Sequence, residues 1–158
     1  MPAIALFQPD IPQNTGAILR LSACLGLVTH IIGPTGFELS DRALARAGLD
    51  YLDHARIARH ASWPAFMAWK ADAAGKLVLL TTKASAIYTE YRFARDDVLL
   101  FGRESAGVPD HVHEAADMRL RVPIAAGLRS MNLATAVAMA AGEALRQTST
   151  FPVQEAPT

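Results

Sequence analysis

Two segments, Leu99-Leu100-Phe101-Gly102-Arg103-Glu104-Ser105-Ala106-Gly107-Val108-Pro109 and Val122-Pro123-Ile124-Ala125-Ala126-Gly127-Leu128-Arg129-Ser130-Met131-Asn132-Leu133-Ala134-Thr135-Ala136, each run from an apolar strand through a glycine-bearing loop toward a helix. Glycine lets a ligand come close to the main chain. In open α/β sheets, ligands lie where such loops leave the carboxyl ends of strands. Two loops of this kind imply a site read largely by backbone atoms. Neither is a common nucleotide fingerprint. Gly102-x4-Gly107 is followed by Val108-Pro109 rather than Lys-Ser/Thr, and no G-x-G-x-x-G occurs.

Outward from these loops, strand-like and helix-like stretches alternate. Residues 3–7, 29–32, 76–81, 98–101 and 118–122 read as strands, with 56–59 as a short edge strand. Helices are expected over 14–25 (Asn14 as cap, Gly26 as stop), 41–47 (capped by Ser40, ended by Gly48), 63–70 (capped by Ser62), 109–115 and 132–147. This alternation predicts a single α/β domain, a mostly parallel sheet with helices on both faces. The unbroken apolar runs 77–80 and 98–101 suit strands buried on both sides. Residues 148–158 carry Pro152 and Pro157 and are expected to be a loose tail after a domain spanning 1–147.

The chain has 158 residues, 51% of them hydrophobic, and no formal net charge; its mean hydropathy is +0.18. Length predicts one domain with a real core. Neutrality argues against a broad nonspecific nucleic-acid coat but leaves room for a local arginine cluster. The single cysteine, Cys24, excludes an intrachain disulfide and is expected to be buried. The apolar N-terminus lacks a basic flank and stops at Gln8-Pro9-Asp10; the stretch 133–145 is interrupted by Glu143. Neither reads as a signal peptide or membrane span, so the expectation is a soluble cytoplasmic protein.

Several residues could carry chemistry. Asn14 caps a helix or faces a ligand. Arg20, six residues on, does not share Asn14's face and is either a solvated charge or an anion clamp. Glu104, between two glycines, is an exposed acid or an acceptor for hydroxyls or main-chain donors. Arg129, Ser130 and Asn132 are more than a helix cap requires. The five histidines form no metal-ligand spacing, and no metal is expected. The last helix is rich in Ala, with Gly142; such a surface suits close packing on the sheet and close approach of a second copy.

Taken together, Asn14-x-Gly16-x3-Arg20, Phe101-Gly102-x-Glu104-x2-Gly107 and Pro123-Ile124…Arg129-Ser130-Met131-Asn132-Leu133-Ala134 resemble the SPOUT superfamily of S-adenosyl-L-methionine-dependent RNA methyltransferases. The resemblance continues through Ile31-Ile32-Gly33-Pro34, Arg46-Ala47-Gly48-Leu49-Asp50-Tyr51 and Leu80-Thr81-Thr82-Lys83, and covers the chain except its tail. With no added RNA-binding domain, it points to the tRNA wobble-nucleotide ribose 2′-O-methyltransferases. It implies a C-terminal deep trefoil knot and a homodimer joined through the first and last helices. The cofactor, with S-adenosyl-L-homocysteine as product, would lie among Leu80, Thr81, Gly102, Glu104, Gly107, Val122, Ile124, Ser130, Met131 and Leu133. Asn14, Arg20, Ser130 and Asn132 would serve catalysis, Arg20 reaching in from the partner. Arg42, Arg46, Lys83 and Arg129, with Arg56 and Arg59, would meet the tRNA anticodon loop. Some relatives carry a tyrosine where this chain has Gly142, which leaves the proton acceptor open. Competing expectations are another tRNA or rRNA position, or a non-catalytic RNA- or cofactor-binding protein.

Overall fold

A computed structural model describes residues 1–46 and 51–154. Six strands, β1 (Ala3–Phe7), β2 (Val28–Ile32), β3 (Arg56–His60), β4 (Leu77–Leu80), β5 (Val98–Phe101) and β6 (Met118–Leu120), form one sheet in the order β3-β2-β1-β5-β4-β6. Every pairing is parallel. The chain builds outward from β1 to β3, crosses to the other half, and places β5 beside β1. The carboxyl ends of β1 and β5 thus meet where strand order reverses, the position where open α/β sheets form their ligand crevice.

Helices cover both faces, as the alternation predicts. They are α1 (Pro12–Leu25), α2 (Asp41–Arg46), α3 (Trp63–Asp72), α4 (Asp110–Ala115) and α5 (Leu133–Thr148). Strand side chains alternate across the sheet. Ile4, Leu6, Val78, Leu80, Leu99 and Phe101 pack with Ile18 of α1 and Val137, Ala140, Ala141, Ala144 and Leu145 of α5. Ala5, Phe7, Leu77, Leu79, Val98 and Leu100 face Phe66 of α3 and Val112 of α4. All residues of β4 and β5 are buried. That two-sided burial explains their lack of hydrophobic periodicity, each large side chain contributing about 1.5–3 kcal/mol.

Several boundaries differ from the sequence expectation. Helix α1 begins at Pro12, with Ile11 as the cap residue; proline's fixed φ suits the first helical position, so Asn14 lies inside the first turn rather than capping it. Strand β4 is shorter than 76–81, and β6 ends at Leu120 because the chain turns away into the loop. Helix α3 runs two residues further, to Asp72. Cys24 is exposed, on the side of α1 turned from the sheet. The expected end of α2 at Ala47-Gly48 lies outside the described residues, as do 155–158 of the tail. Asn132 does cap α5, its Oδ1 accepting the Thr135 N–H at 3.3 Å.

Candidate functional site

A cavity of about 460 Å³ opens at the carboxyl ends of β4 and β5. Its walls are residues 79–82 at the end of β4 and just beyond, 101–104 with 107–108 at the end of β5 and just beyond, Val122, Ile124, 130–133 and Ala136 leading into α5, and Ile11 and Asn14 at the start of α1. Three loops distant in sequence thus line one space. Its size falls within the range of about 300–1,000 Å³ usual for small-ligand pockets.

The β5 loop is held by its own backbone. Arg103 and Gly107 exchange N–H···O bonds, both 2.9 Å. Gly107 has φ +63°, and a Cβ on Gly102 would lie 2.5 Å from the Gly107 carbonyl carbon. Only glycine permits that crossing, so the two glycines shape the wall. In the loop before α5, Leu128 donates its N–H to Ala125 O at 3.3 Å, and most other amides and carbonyls of residues 122–131 have no backbone partner. Such free main-chain groups suit the polar edges of an adenine ring, while Leu80, Ile124, Leu133 and Ala136 supply apolar walls.

At the cavity wall, Asn132 Nδ2 donates to Asn14 Oδ1 at 3.0 Å. This bond ties the start of α5 to the start of α1 and gives Asn14 a role other than capping. Glu104 Oε2 accepts the Asp10 main-chain N–H at 3.1 Å, and Ser105 Oγ donates to Asp10 Oδ2. Burial raises the Glu104 carboxyl above its usual range; the hydrogen bond from Glu104 holds Asp10 below its own.

Of the residues expected to bind cofactor, Leu80, Thr81, Gly102, Glu104, Gly107, Val122, Ile124, Ser130, Met131 and Leu133 all line this cavity, with Asn14 and Asn132. Arg20 does not. It is exposed on α1 with its guanidinium 4.7 Å from the centre of the Tyr51 ring. Arg42, Arg46, Lys83 and Arg129 are likewise exposed and outside the cavity. Arg103, Ile11, Val108 and Ala136 line it without any sequence signal of their own; for Arg103 the one available cue was a cation between two glycines. No group of three His, Cys, Asp or Glu is placed to hold a metal among the described residues, and no helix among them is long and apolar enough to cross a membrane.

A family model described as the SpoU rRNA Methylase family matches residues 1–142. The chain belongs to this family. It is 54% identical over 155 residues to a tRNA (cytidine(34)-2′-O)-methyltransferase of Beijerinckia indica subsp. indica, covering 98% of this chain and 97% of that protein. A solved structure concerned with 2-OH methylation of C/U34 on tRNA superposes with TM-score 0.86 at 41% identity, over 93% of this chain and 95% of that one. An AdoMet-bound rRNA methyltransferase from Sinorhizobium meliloti gives TM-score 0.83 at 28% identity, over 92% of this chain and 56% of that one. For a SpoU methylase the cavity fits S-adenosyl-L-methionine by volume, apolar walls and free main-chain groups.

Proposed function

We propose that this chain transfers the methyl group of S-adenosyl-L-methionine to the ribose 2′-hydroxyl of the wobble nucleotide, cytidine or modified uridine, in the tRNA anticodon loop. The observation that carries this reading is the convergence of the three loops on one cavity in a SpoU methylase most of whose length matches a tRNA (cytidine(34)-2′-O)-methyltransferase. The cofactor supplies an activated methyl. The main chain around Leu80, Gly102, Val122 and Ser130 would hold its adenosine.

The protein's task is then positioning. Oxygen and methyl carbon must meet in line at roughly 3–3.5 Å, and that alignment provides much of the acceleration. Asn132, held between Asn14 and the α5 amide, fixes one wall of the site, with Ser130 beside it. The hydroxyl releases its proton to solvent water near the transition state. Arginine does not deprotonate, so Arg20, anchored on a phosphate, lowers the cost of the developing alkoxide instead.

Arg20 lies outside its own chain's cavity, which supports a homodimer in which each copy completes the other's site. The outer face of α5 supports this too: Ala138 and Met139 are exposed, and a Cβ on Gly142 would meet nothing within 4 Å. The return of the chain from β6, at the sheet edge, to pack α5 on α1 and β5 supports a deep trefoil knot in the domain 1–147. Arg42, Arg46, Lys83 and Arg129 would contact RNA backbone. Such a catalyst would act in the cytoplasm, where tRNA is used.

The test is incubation with labelled cofactor and bulk tRNA, with mass spectrometry of the product nucleotide. Methyl at the ribose of position 34 is expected; methyl elsewhere, or none, overturns the reading. Arg20→Ala should lower transfer by about 10²–10³-fold while cofactor affinity by calorimetry stays within about twofold. A comparable loss of affinity would remove Arg20 from its assigned role.

A further inference from the structure

Two charged side chains line the cavity, Arg103 and Glu104. Glu104 is already engaged with Asp10, whose N–H it accepts and whose carboxylate takes the Ser105 hydroxyl. Two acids therefore stand next to an arginine in sequence or space, yet neither pairs with it. Among the described residues Arg103 makes no ion pair and no side-chain hydrogen bond. Its Nε is buried without an acceptor, and its guanidinium lies 5.8 Å from the centre of the Phe7 ring.

A guanidinium carries five N–H donors and no acceptor. Burying one of them unpaired is costly, and at the wall of a cavity a partner that enters the cavity relieves that cost. The backbone here is not free to relieve the defect. Arg103 is fixed by its double bridge to Gly107, over a Gly102 that tolerates no side chain. The cation is held at the wall of a cavity whose other lining is apolar side chains, hydroxyls, amides, main chain and the Glu104 carboxyl, which is engaged with Asp10.

We propose that Arg103 binds an oxyanion in this cavity, and that the oxyanion is the carboxylate on the methionine portion of the cofactor. The inference rests on the reading of the cavity as an S-adenosyl-L-methionine site. A guanidinium fork matches a carboxylate with two parallel hydrogen bonds. An RNA phosphate offers the same chemistry, but phosphates meet a protein's outer surface. Arg42, Arg46, Lys83 and Arg129 are exposed there, whereas the unpaired Nε of Arg103 is buried. The self-pairing of Asp10 and Glu104 acquires a purpose in this arrangement: it keeps two nearby acids from neutralising the cation before the ligand arrives.

Calorimetry with two probes tests this. S-Adenosyl-L-homocysteine carries the carboxylate; 5′-methylthioadenosine keeps the adenosine and sulfur but lacks the amino-acid portion. Arg103→Met should weaken S-adenosyl-L-homocysteine by about 10–100-fold and leave 5′-methylthioadenosine within twofold of the wild type. Retained binding of the second probe also reports that the variant is folded. Arg103→Lys, a cation without the fork, should recover part of the loss. Equal losses on both probes would make Arg103 a structural residue and overturn the proposal. So would unchanged affinity for both with a raised KM for tRNA, which would assign Arg103 to phosphate. A wild type that binds neither probe would instead sink the cofactor reading of the cavity, and this inference with it.

Discussion

The two ends of the same parallel sheet are built to different rules. At the amino ends of β4 and β5, carboxylates are spent on the protein's own donors, the buried Asp97 with both of its oxygens and the exposed Asp117 with one. Asp97 accepts from the Lys76 and Ala94 amides at 3.0 and 2.8 Å and from the Tyr91 hydroxyl at 3.3 Å. Asp117 accepts the Leu77 amide at 2.7 Å. At the carboxyl ends, Asp10 Oδ1, Glu104 Oε1 and Arg103 Nε are buried with no partner. One end spends its polar groups on its own backbone; the other leaves one oxygen of each acid and the Arg103 Nε without a partner. A fold gains nothing from unpaired buried polar atoms, so the contrast separates stability from function on a single sheet. The two ends should respond to substitution in opposite ways.

The largest effect is expected from Gly102→Ala at the carboxyl end. The new methyl would lie 2.5 Å from one backbone atom of Gly107 and 2.7 Å from another. Neither neighbour is a flexible side chain, so the bridge between Arg103 and Gly107 must open. Affinity for S-adenosyl-L-homocysteine should fall more than about 100-fold, by the loss of a preorganised wall, with a smaller loss in Tm. Wild-type affinity in this variant would show that the loop is not part of the ligand site.

Asp97→Ala makes the reciprocal change at the amino end. It strands two amides and a hydroxyl in a site where Asp97 is 1% exposed. Each stranded donor costs about 1–3 kcal/mol, so denaturant unfolding should show a loss of about 3–5 kcal/mol. Cofactor affinity at a temperature where the variant is folded should be unchanged. The Tyr91 phenol, pushed up to about 12 by burial and then by the Asp97 charge, should titrate closer to its ordinary value. A variant that lost cofactor affinity in step with stability would erase the distinction between the two ends.

The sheet was largely legible from sequence, the site only in part. Leu77–Leu80 and Val98–Phe101 announce themselves because two-sided burial demands unbroken apolar runs of strand length. Asn132 is legible because a helix cap is a local matter. Asn14 was open to the same reading and is not a cap: Pro12, two residues earlier, starts the helix as well as any cap would. The resemblance to SPOUT enzymes supplied the residues expected to meet cofactor, and these line one cavity. Arg103 was legible only as a cation between two glycines. What marks it is that Asp10 bonds to Glu104 across 94 positions instead, and a missing contact has no pattern in sequence. Exposure of Cys24 was hidden for a related reason, since residue type gives an average and the facing of α1 sets the individual case.

The smallest effect concerns the β2–β3 flank, which follows the amino end in pairing its polar groups. His30 Nδ1 and His60 Nε2 are 2.9 Å apart, and the His30 ring lies 4.0 Å from that of Trp69. Burial, then the charge of His60, pulls His30 down to about 4; burial also lowers His60. Folding therefore holds both rings neutral at a pH where the unfolded chain would protonate them. Below about 6.5 the unfolded state binds more protons than the folded one, so stability falls as pH drops from about 6.5 toward about 4 and is indifferent to these rings above that window. The loss should be about 1–2 kcal/mol, the partial exposure of His60 trimming the full linkage. His30→Phe keeps an aromatic ring between Phe66 and Trp69 but cannot titrate. Its Tm should depend less on pH across that window than the wild type's, while both proteins bind S-adenosyl-L-homocysteine equally at pH 7.5. Parallel Tm profiles would mean that acid sensitivity arises elsewhere. A difference in cofactor affinity would mean that this flank communicates with the carboxyl ends, for which the chain of rings from His30 through Phe66 and Trp63 to Phe7, beside Arg103, is the available route.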